Sequence, residues 1–329
     1  MKKGLYWSSY NTFKCPQRFI WKYGFEGIDF GNGPGKPKSP DNIRSEHHAI
    51  MGTVIQSVVE DFYNNKLYAP LIENPTKEEL RNIISVLSKK TKDKFSDEMY
   101  SEKKYINWRE APTASQMEKV CVDGVIGYIK TAVANYLFGE INEAEKHIVI
   151  DSLGDTGIKI GAKIDLYIER PNDSKHNPGI TIVDGKNSKY MGKYLDKDQL
   201  LFYAVCVFLQ KGVMPDRLGF VHYRFPYGNK ISHISISKGV DWINFTSDDV
   251  ISMISKIIET GNKLNTYKPE DFFSNPSPKM CRFCEWECEA RKLQREANSK
   301  IKSKKNAFVL DNIGSDGFSD ISLEETKWK

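Results

Sequence analysis

The order of apolar and polar positions divides the chain into a helical first part and a strand-rich second part. From about residue 44 to 64, Ile50, Val54, Ile55, Val58, Val59 and Phe62 recur at the spacing that lines one face of a helix. Gly52 lies inside that helix at a cost in stability, which marks a close approach by another part of the chain. Thr76-Lys-Glu-Glu79 is a capping box for a helix to about Lys90, and the charged segment Lys89–Lys104 reads as a solvated helix or loop. Thr113-Ala-Ser-Gln116 opens another helix to roughly Phe138, with Met117, Val120, Cys121, Val125, Tyr128 and Ile129 as its apolar face. β-type patterning then takes over: Glu145–Ile150, Ile158–Ile168, Ile180–Val183, Leu218–Phe225 and Ile231–Ile236 predict strands. A helix over Leu195–Leu209 separates the third strand from the fourth. Thr246-Ser-Asp-Asp249 caps a last one through Glu259, with Gly261 as its stop. The order predicts an α/β fold: a central mixed β-sheet flanked by helices, a helical block before it and a cysteine cluster after it.

Both ends of the chain carry their own patterns. Trp7, Tyr10, Phe13, Phe19, Trp21, Tyr23 and Phe25 crowd residues 5–25, which predicts a short buried helix. Glycines and prolines over 27–40 mark an irregular loop. The expected division is 1–140 for the N-terminal cysteine segment and helical block and 141–270 for the α/β core. Residues 271–305 form the second cysteine segment with a charged helix, and 306–329 a polar, disordered tail.

Composition narrows the partners only a little. With 329 residues, 40% hydrophobic and 28% charged, the chain can bury a substantial core. A net charge of +5 and a pI near 8.6 suit an anionic partner such as nucleic acid without demanding one. No apolar run reaches the ~18 residues of a membrane span, and no signal-peptide hydrophobic region follows Met1. The expectation is a cytoplasmic protein with no membrane partner.

The candidate chemistry lies between Gly161 and Tyr203. Two strands each carry one aspartate, Asp165 and Asp184, and Lys186 follows the second by two residues, on the same side of its strand. If the strands pair across the turn at Pro171–Gly179, Asp165 approaches that side too. Two carboxylates suit a hard cation, Mg²⁺ or Mn²⁺, which the carbonyl of Gly185 can also reach; Lys186 then orients water or stabilises developing negative charge. Gln199 and Tyr203, four apart, share a helix face and can support Lys186 or bond a nucleic-acid backbone. Arg18, Phe19, Trp21 and Lys22, and then Lys189, Tyr190, Lys193, Tyr194 and Lys197, interleave cations with aromatic rings, the composition of a single-strand binding surface. His47 and His48 read as surface residues or nucleic-acid contacts.

Among the six cysteines, Cys121 and Cys206 fall inside apolar helical patterns, where inert buried thiols are expected. Cys281, Cys284 and Cys288 form C-x2-C-x3-C, and Cys15 is the candidate fourth ligand. In a reducing compartment the set suits zinc or an iron–sulfur cluster, and spacing alone does not choose between them.

Ile164-Asp165, Val183-Asp184-Gly-Lys186 and Gln199-x3-Tyr203 together resemble the PD-(D/E)XK nucleases, in particular the RecB-like branch with its Q-x3-Y helix. The resemblance implies a restriction-endonuclease-like core, with Asp165 and Asp184 on the metal, Lys186 catalytic, and Gln199 and Tyr203 as the helix motif. Glu145 stands where the branch often has an acid. The branch commonly carries G-x3-H-x3-E upstream; here Gly52, Gln56 and Glu60 occupy those places, so Gln56 replaces the metal-contacting histidine and leaves metal preference open. Cys15-Pro-Gln-Arg18-Phe19 before the core and three cysteines after it are similar to the iron–sulfur RecB-like nucleases, which include CRISPR-associated adaptation nucleases and AddB-type subunits. That implies a structural cluster, [4Fe–4S], tying the ends together, with DNA as substrate and a helicase or a recombination or integration protein as partner. G-x4-G-K-[ST] is absent from the sequence, so the chain is not itself a helicase motor. The expected activity is that of an exonuclease on single-stranded DNA or DNA ends. The competing expectations are a catalytically weak nucleic-acid-binding module and a structure- or site-specific endonuclease.

Overall fold

Thr76, Thr113 and Thr246 each accept the backbone N–H three residues on, from Glu79, Gln116 and Asp249, and so set where three long helices begin. Each such cap is worth about 1 kcal/mol. The computed structural model describes residues 4–24, 46–72, 75–100, 111–172, 174–187, 195–223 and 239–275, and single positions at 106, 108 and between 281 and 293. Its elements run β1 (Leu5–Tyr6), α1 (Trp7–Phe13), α2 (Pro16–Tyr23), α3 (His47–Asn64), α4 (Lys77–Met99) and α5 (Ala114–Ala134). There follow β2 (Ile141–Ile150), β3 (Ile160–Arg170), β4 (Gly179–Lys186), α6 (Lys197–Lys211), β5 (Arg217–His222), β6 (Val240–Ile243) and α7 (Ser247–Thr266). No described helix is long and apolar enough to cross a membrane.

The sheet is mixed. β3 pairs antiparallel with β2 along one edge; on the other it meets β1 at its start, in parallel, and β4 at its end, antiparallel. β4 and β5 pair in parallel, joined through α6, and β6 closes the row antiparallel to β5. Helices cover both faces, as the α/β expectation requires. One apolar cluster joins α3, α4 and α5 to Leu166, Ile168, Val183 and Val221. The other joins α6 and α7 to Ile160, Ala162, Ile164, Ile182, Leu218 and Phe220.

Several elements differ from the sequence expectation, each for a local reason. The single N-terminal helix is a short strand and two helices, because Pro16 starts α2 and Cys15 is extended before it. Of the two readings of the charged segment after Lys89, helix holds as far as Met99, but it is not solvated all round, since Leu87, Thr91 and Phe95 are buried along it. Gly261 lies within α7, not at its end; a Cβ there would stand 2.9 Å from Ile158 Cδ1, so glycine serves packing. Gly52 makes no close approach, for a Cβ would meet only Asn187 at ordinary contact, 3.6 Å. His47 is buried rather than on the surface and packs on His48, with ring centroids 4.0 Å apart. β6 was not foreseen. The expected loop at 27–40, the strand at 231–236, residues 189–194 and the tail at 306–329 lie outside the described residues, as does the expected helix after Cys288 except for Glu289, Lys292 and Leu293, which are helical.

Arg170, at the end of β3, is 3% exposed and serves as an internal clamp. Its guanidinium donates to Phe138 O at 2.7 Å, Tyr136 O at 2.5 Å, Thr181 Oγ1 at 3.0 Å and Asn177 O at 3.2 Å. Burial and the nearby Arg217 push its pKa down to about 10, which still leaves it charged at neutral pH. It holds the α5–β2 connection onto the sheet through backbone carbonyls that would otherwise be buried without donors. Arg170→Met is therefore expected to cost on the order of 3 kcal/mol or more, read as a lower urea midpoint at unchanged slope.

Candidate active site

The last β3–β4 pair is Leu166 with Val183, yet β4 stays paired with β5 as far as Lys186 with His222. Asp184, Gly185 and Lys186 therefore leave β3 while β5 still holds them. The Gly185 N–H, freed from the ladder, donates to Asp165 Oδ2 at 2.8 Å. On the other edge of β3 the ladder to β2 also skips one position, the one where Glu145 faces Asp165. Glu145 has φ of 56°, a left-handed conformation uncommon for a non-glycine residue. The buried face changes there. Ile160, Ala162 and Ile164 face α6 and α7, whereas Leu166 and Ile168 face α3 and α5; in β2, Ile148 and Ala144 divide the same way. Strict alternation would have kept all these even-numbered residues on one side. Asp165 thus sits where the sheet opens and turns over.

On the α6 side, Asp184 is 2% exposed and in ion-pair contact with Lys186 through Oδ2. Lys186 Nζ donates to Gln199 Oε1 at 2.8 Å and lies 5.2 Å from the ring centroid of Phe220. Gln199 Nε2 in turn donates to Asp184 Oδ1 at 2.7 Å and contacts the Tyr203 hydroxyl at 2.9 Å. The glutamine spans acid and base because Asp196 caps α6, accepting from the Asp198 N–H, and so places residue 199 in the first turn beside β4.

On the α3 side, the Gln56 amide donates to Glu145 Oε1 at 3.0 Å, and its carbonyl accepts from the Tyr223 hydroxyl. Glu145 also forms an ion pair with Lys163. A Cβ at Gly185 would collide with the Tyr223 hydroxyl, so only glycine lets that tyrosine cross to Gln56. Gln56, Tyr128, Asp165, Gly185 and Tyr223 line a small cavity of about 10 Å³, space for one water. Sequence reasoning had not singled out Tyr223, Lys163, His222 or Asp241. The first three lie on strands it did predict, but their partners come from other elements.

Burial, and then the neighbouring Asp184, push the Asp165 carboxyl up to about 7. Burial also raises Asp184, against the lowering effect of Lys186. Two carboxylates in one dry site oppose each other's ionisation, and a divalent cation offsets both. The donors fit a hard ion: the carboxylates of Asp165 and Asp184 and the carbonyl of Gly185 are oxygen ligands. Among the described residues no group of three or more His, Cys, Asp or Glu side chains is placed to hold a metal. The candidate site thus rests on two acids and neutral oxygens.

The cysteines meet the same limit. The two ends of the chain do come together: Gln17 N–H donates to Phe273 O at 3.1 Å, Asn275 N–H to Cys15 Sγ at 3.4 Å and Asn275 Nδ2 to Lys14 O at 2.9 Å. Cys284 and Cys288 pack with Phe13, Phe19, Trp21 and Trp286. Among the described residues, Cys15, Cys281, Cys284 and Cys288 form no disulfide and are not gathered into a metal-holding group. Cys121 and Cys206 are buried, as apolar helix positions should be. Arg18, Trp21 and Lys22 lie on α2, whereas Lys189, Tyr190, Lys193 and Tyr194 fall outside the described residues.

A mixed sheet with helices on both faces, opened beside an Asp-Gly-Lys strand end, defines a restriction-endonuclease-like α/β fold. The chain belongs to the PD-(D/E)XK nuclease superfamily, whose family model matches residues 7–288. Nucleases of that superfamily generally use Mg²⁺ or Mn²⁺, and a member would bind DNA. No curated protein matches the chain.

The raised Asp165 sets a pH dependence. An unfolded aspartate ionises near 4, whereas the folded one keeps its proton to about 7. Its contribution to stability is full below about pH 4 and is lost as pH rises through about 7. A divalent cation held by the two acids would take over the proton's role, so the gain in Tm from added Mg²⁺ or Mn²⁺ should be larger at about pH 8 than at about pH 5. An equal gain at both would count against a cation between the two acids.

Proposed function

We propose that the protein is a metal-dependent DNA nuclease that hydrolyses phosphodiester bonds at Asp165, Asp184 and Lys186. The observation that carries the reading is the chain Asp184–Gln199–Lys186, bonded at 2.7 and 2.8 Å on the lip where β4 leaves β3. Asp165, Asp184 and the carbonyl of Gly185 would hold Mg²⁺ or Mn²⁺. When bound, the ion supplies an activated water and neutralises charge on the scissile phosphate. Lys186 is aimed by Gln199 and Asp184, so its ammonium is preorganised to orient that water or to meet the developing negative charge. Tyr203 fixes the Gln199 amide, and Phe220 gives the lysine an apolar floor that excludes water. Gln56, engaged by Tyr223 and Glu145, builds the opposite wall and can offer its carbonyl to the ion as a neutral ligand.

The finer reading is of an exonuclease on single-stranded DNA or DNA ends, working in a reducing, cytoplasmic setting beside a helicase or a recombination or integration protein. It rests on the similarity to iron–sulfur RecB-like nucleases. Cys15, Cys281, Cys284 and Cys288 would carry a [4Fe–4S] cluster, with zinc as the alternative. The contact of residues 273–275 with residues 14–17 supports such a tie between the ends. A second reading, a nucleic-acid-binding module of low catalytic rate, is favoured by Gln56: it stands where a histidine would bind metal, and its amide is already engaged on both sides.

Lys186→Ala should lower metal-dependent cleavage of linear single-stranded DNA by at least about 100-fold while DNA binding persists. A wild-type protein that binds DNA without cutting it, with or without metal, would establish the module instead. Cleavage of a covalently closed circle would favour an endonuclease. Protein purified without oxygen should be brown with broad visible absorption, and each of the four Cys→Ser variants should lose that colour. Colourless protein with stoichiometric zinc sinks the cluster and leaves the nuclease standing.

A further inference from the structure

Beyond Asp184 the active-site face continues across two more strands. Paired residues of neighbouring strands share a face. Asp184 pairs with Phe220, and Phe220 pairs with Asp241 of β6, so the two acids flank one ring. One row further along, Lys186 pairs with His222. The Lys186 ammonium lies 5.2 Å from the ring centroid of Phe220, whose strand partners on either side are Asp184 and Asp241. It is in contact with Asp184. Asp241, 36% exposed, is bonded instead to His222 Nε2 at 2.8 Å, and the His222 side chain is only 1% exposed. A histidine so deeply buried is out of reach of a substrate phosphate. It does, however, hold the one other described carboxylate beside Phe220 in that row.

We propose that His222 is a positioning residue which, by holding Asp241, keeps the Lys186 ammonium with Asp184 and Gln199. The inference rests on the nuclease reading of Asp184 and Lys186. A single cation between two acids goes to the one whose own partner is missing. Gln199 bonds both Lys186 and Asp184 and favours that side, and His222 removes the competitor on the other. If His222 is lost, Asp241 is released to draw the lysine toward β6 and away from the strand opening.

The test is an epistasis experiment on the full chain. His222→Leu keeps volume but removes the donor, and should lower kcat about 10-fold with KM little changed. Asp241→Asn alone should leave kcat within about 3-fold of wild type, and His222→Leu with Asp241→Asn should return it to that range. The Lys186 side-chain NMR resonance, assigned by its loss in Lys186→Ala, should move in His222→Leu and return in the double variant. A double variant as impaired as His222→Leu would show a merely structural histidine and overturn the proposal, as would an Asp241→Asn variant as impaired as His222→Leu. If His222→Leu does not fold, Asp241→Asn still decides: the proposal requires its Lys186 resonance and kcat to stay near wild type. An inactive wild type would end the nuclease reading, while the resonances would judge the placement of Lys186 separately.

Discussion

The structure depends on a place where hydrogen bonding stops. β3 and β4 pair up to Leu166 and Val183 and then separate, and β2 fails to pair with β3 at the same level. A closed ladder would occupy the Gly185 N–H and leave no space between the strands. Opened, that N–H turns to Asp165, and the backbone beside it becomes available as an oxygen donor. The cost falls on Glu145, a non-glycine residue at φ of 56°. Backbone strain of this kind costs on the order of 1–3 kcal/mol and persists only where its surroundings hold it, here Gln56 and Lys163.

The two faces of the sheet divide the work around that opening. On the α6 face, Gln199 ties an acid to a base, so neither can turn without breaking a partly buried hydrogen bond. On the α3 face, Tyr223 crosses over Gly185 to reach Gln56, and the missing Cβ makes the crossing possible. Burial that raises Asp165 and Asp184 makes the empty pair of carboxylates unfavourable. The same burial strengthens every charge interaction a cation would make there. Instability of the charged pair and any affinity for a divalent ion would have one origin. Arg170, well away from the opening, anchors the strand that carries Asp165 by satisfying carbonyls of the preceding connection.

Much of the fold was legible along the chain. Helices announced by Thr76, Thr113 and Thr246 begin where those caps stand, because a cap is a local interaction between residues three apart. The alternating runs became β2 to β5 in the order expected. What escaped was non-local. Gly261 reads as a helix stop unless Ile158 is known to press against it. Lys89–Lys104 reads as solvated unless the buried side of α4 is known. β6, four residues long, has too few positions to show a period. At the site, Asp184, Lys186, Gln199 and Tyr203 could be assembled from strand and helix periodicity. Tyr223, Lys163 and the His222–Asp241 pair could not, since each is joined to its partner by tertiary packing alone.

Asp184-Gly-Lys186 and Gln199-x3-Tyr203 were determined by the sequence itself. Period two places an acid and a base on one side of a strand, and a spacing of four places two polar groups on one side of a helix. Those are properties of local geometry. Only the tertiary structure decided how the two sets meet, with one glutamine bonded to both the aspartate and the lysine. It also decided which way Asp165 faces, because the exchange of faces at Glu145 and Asp165 overrides the strand's own alternation. Gln56 was legible as a departure from the expected histidine. That its amide and carbonyl are bonded to Glu145 and Tyr223 follows from contacts across 89 and 167 residues of chain, a separation no local pattern can read.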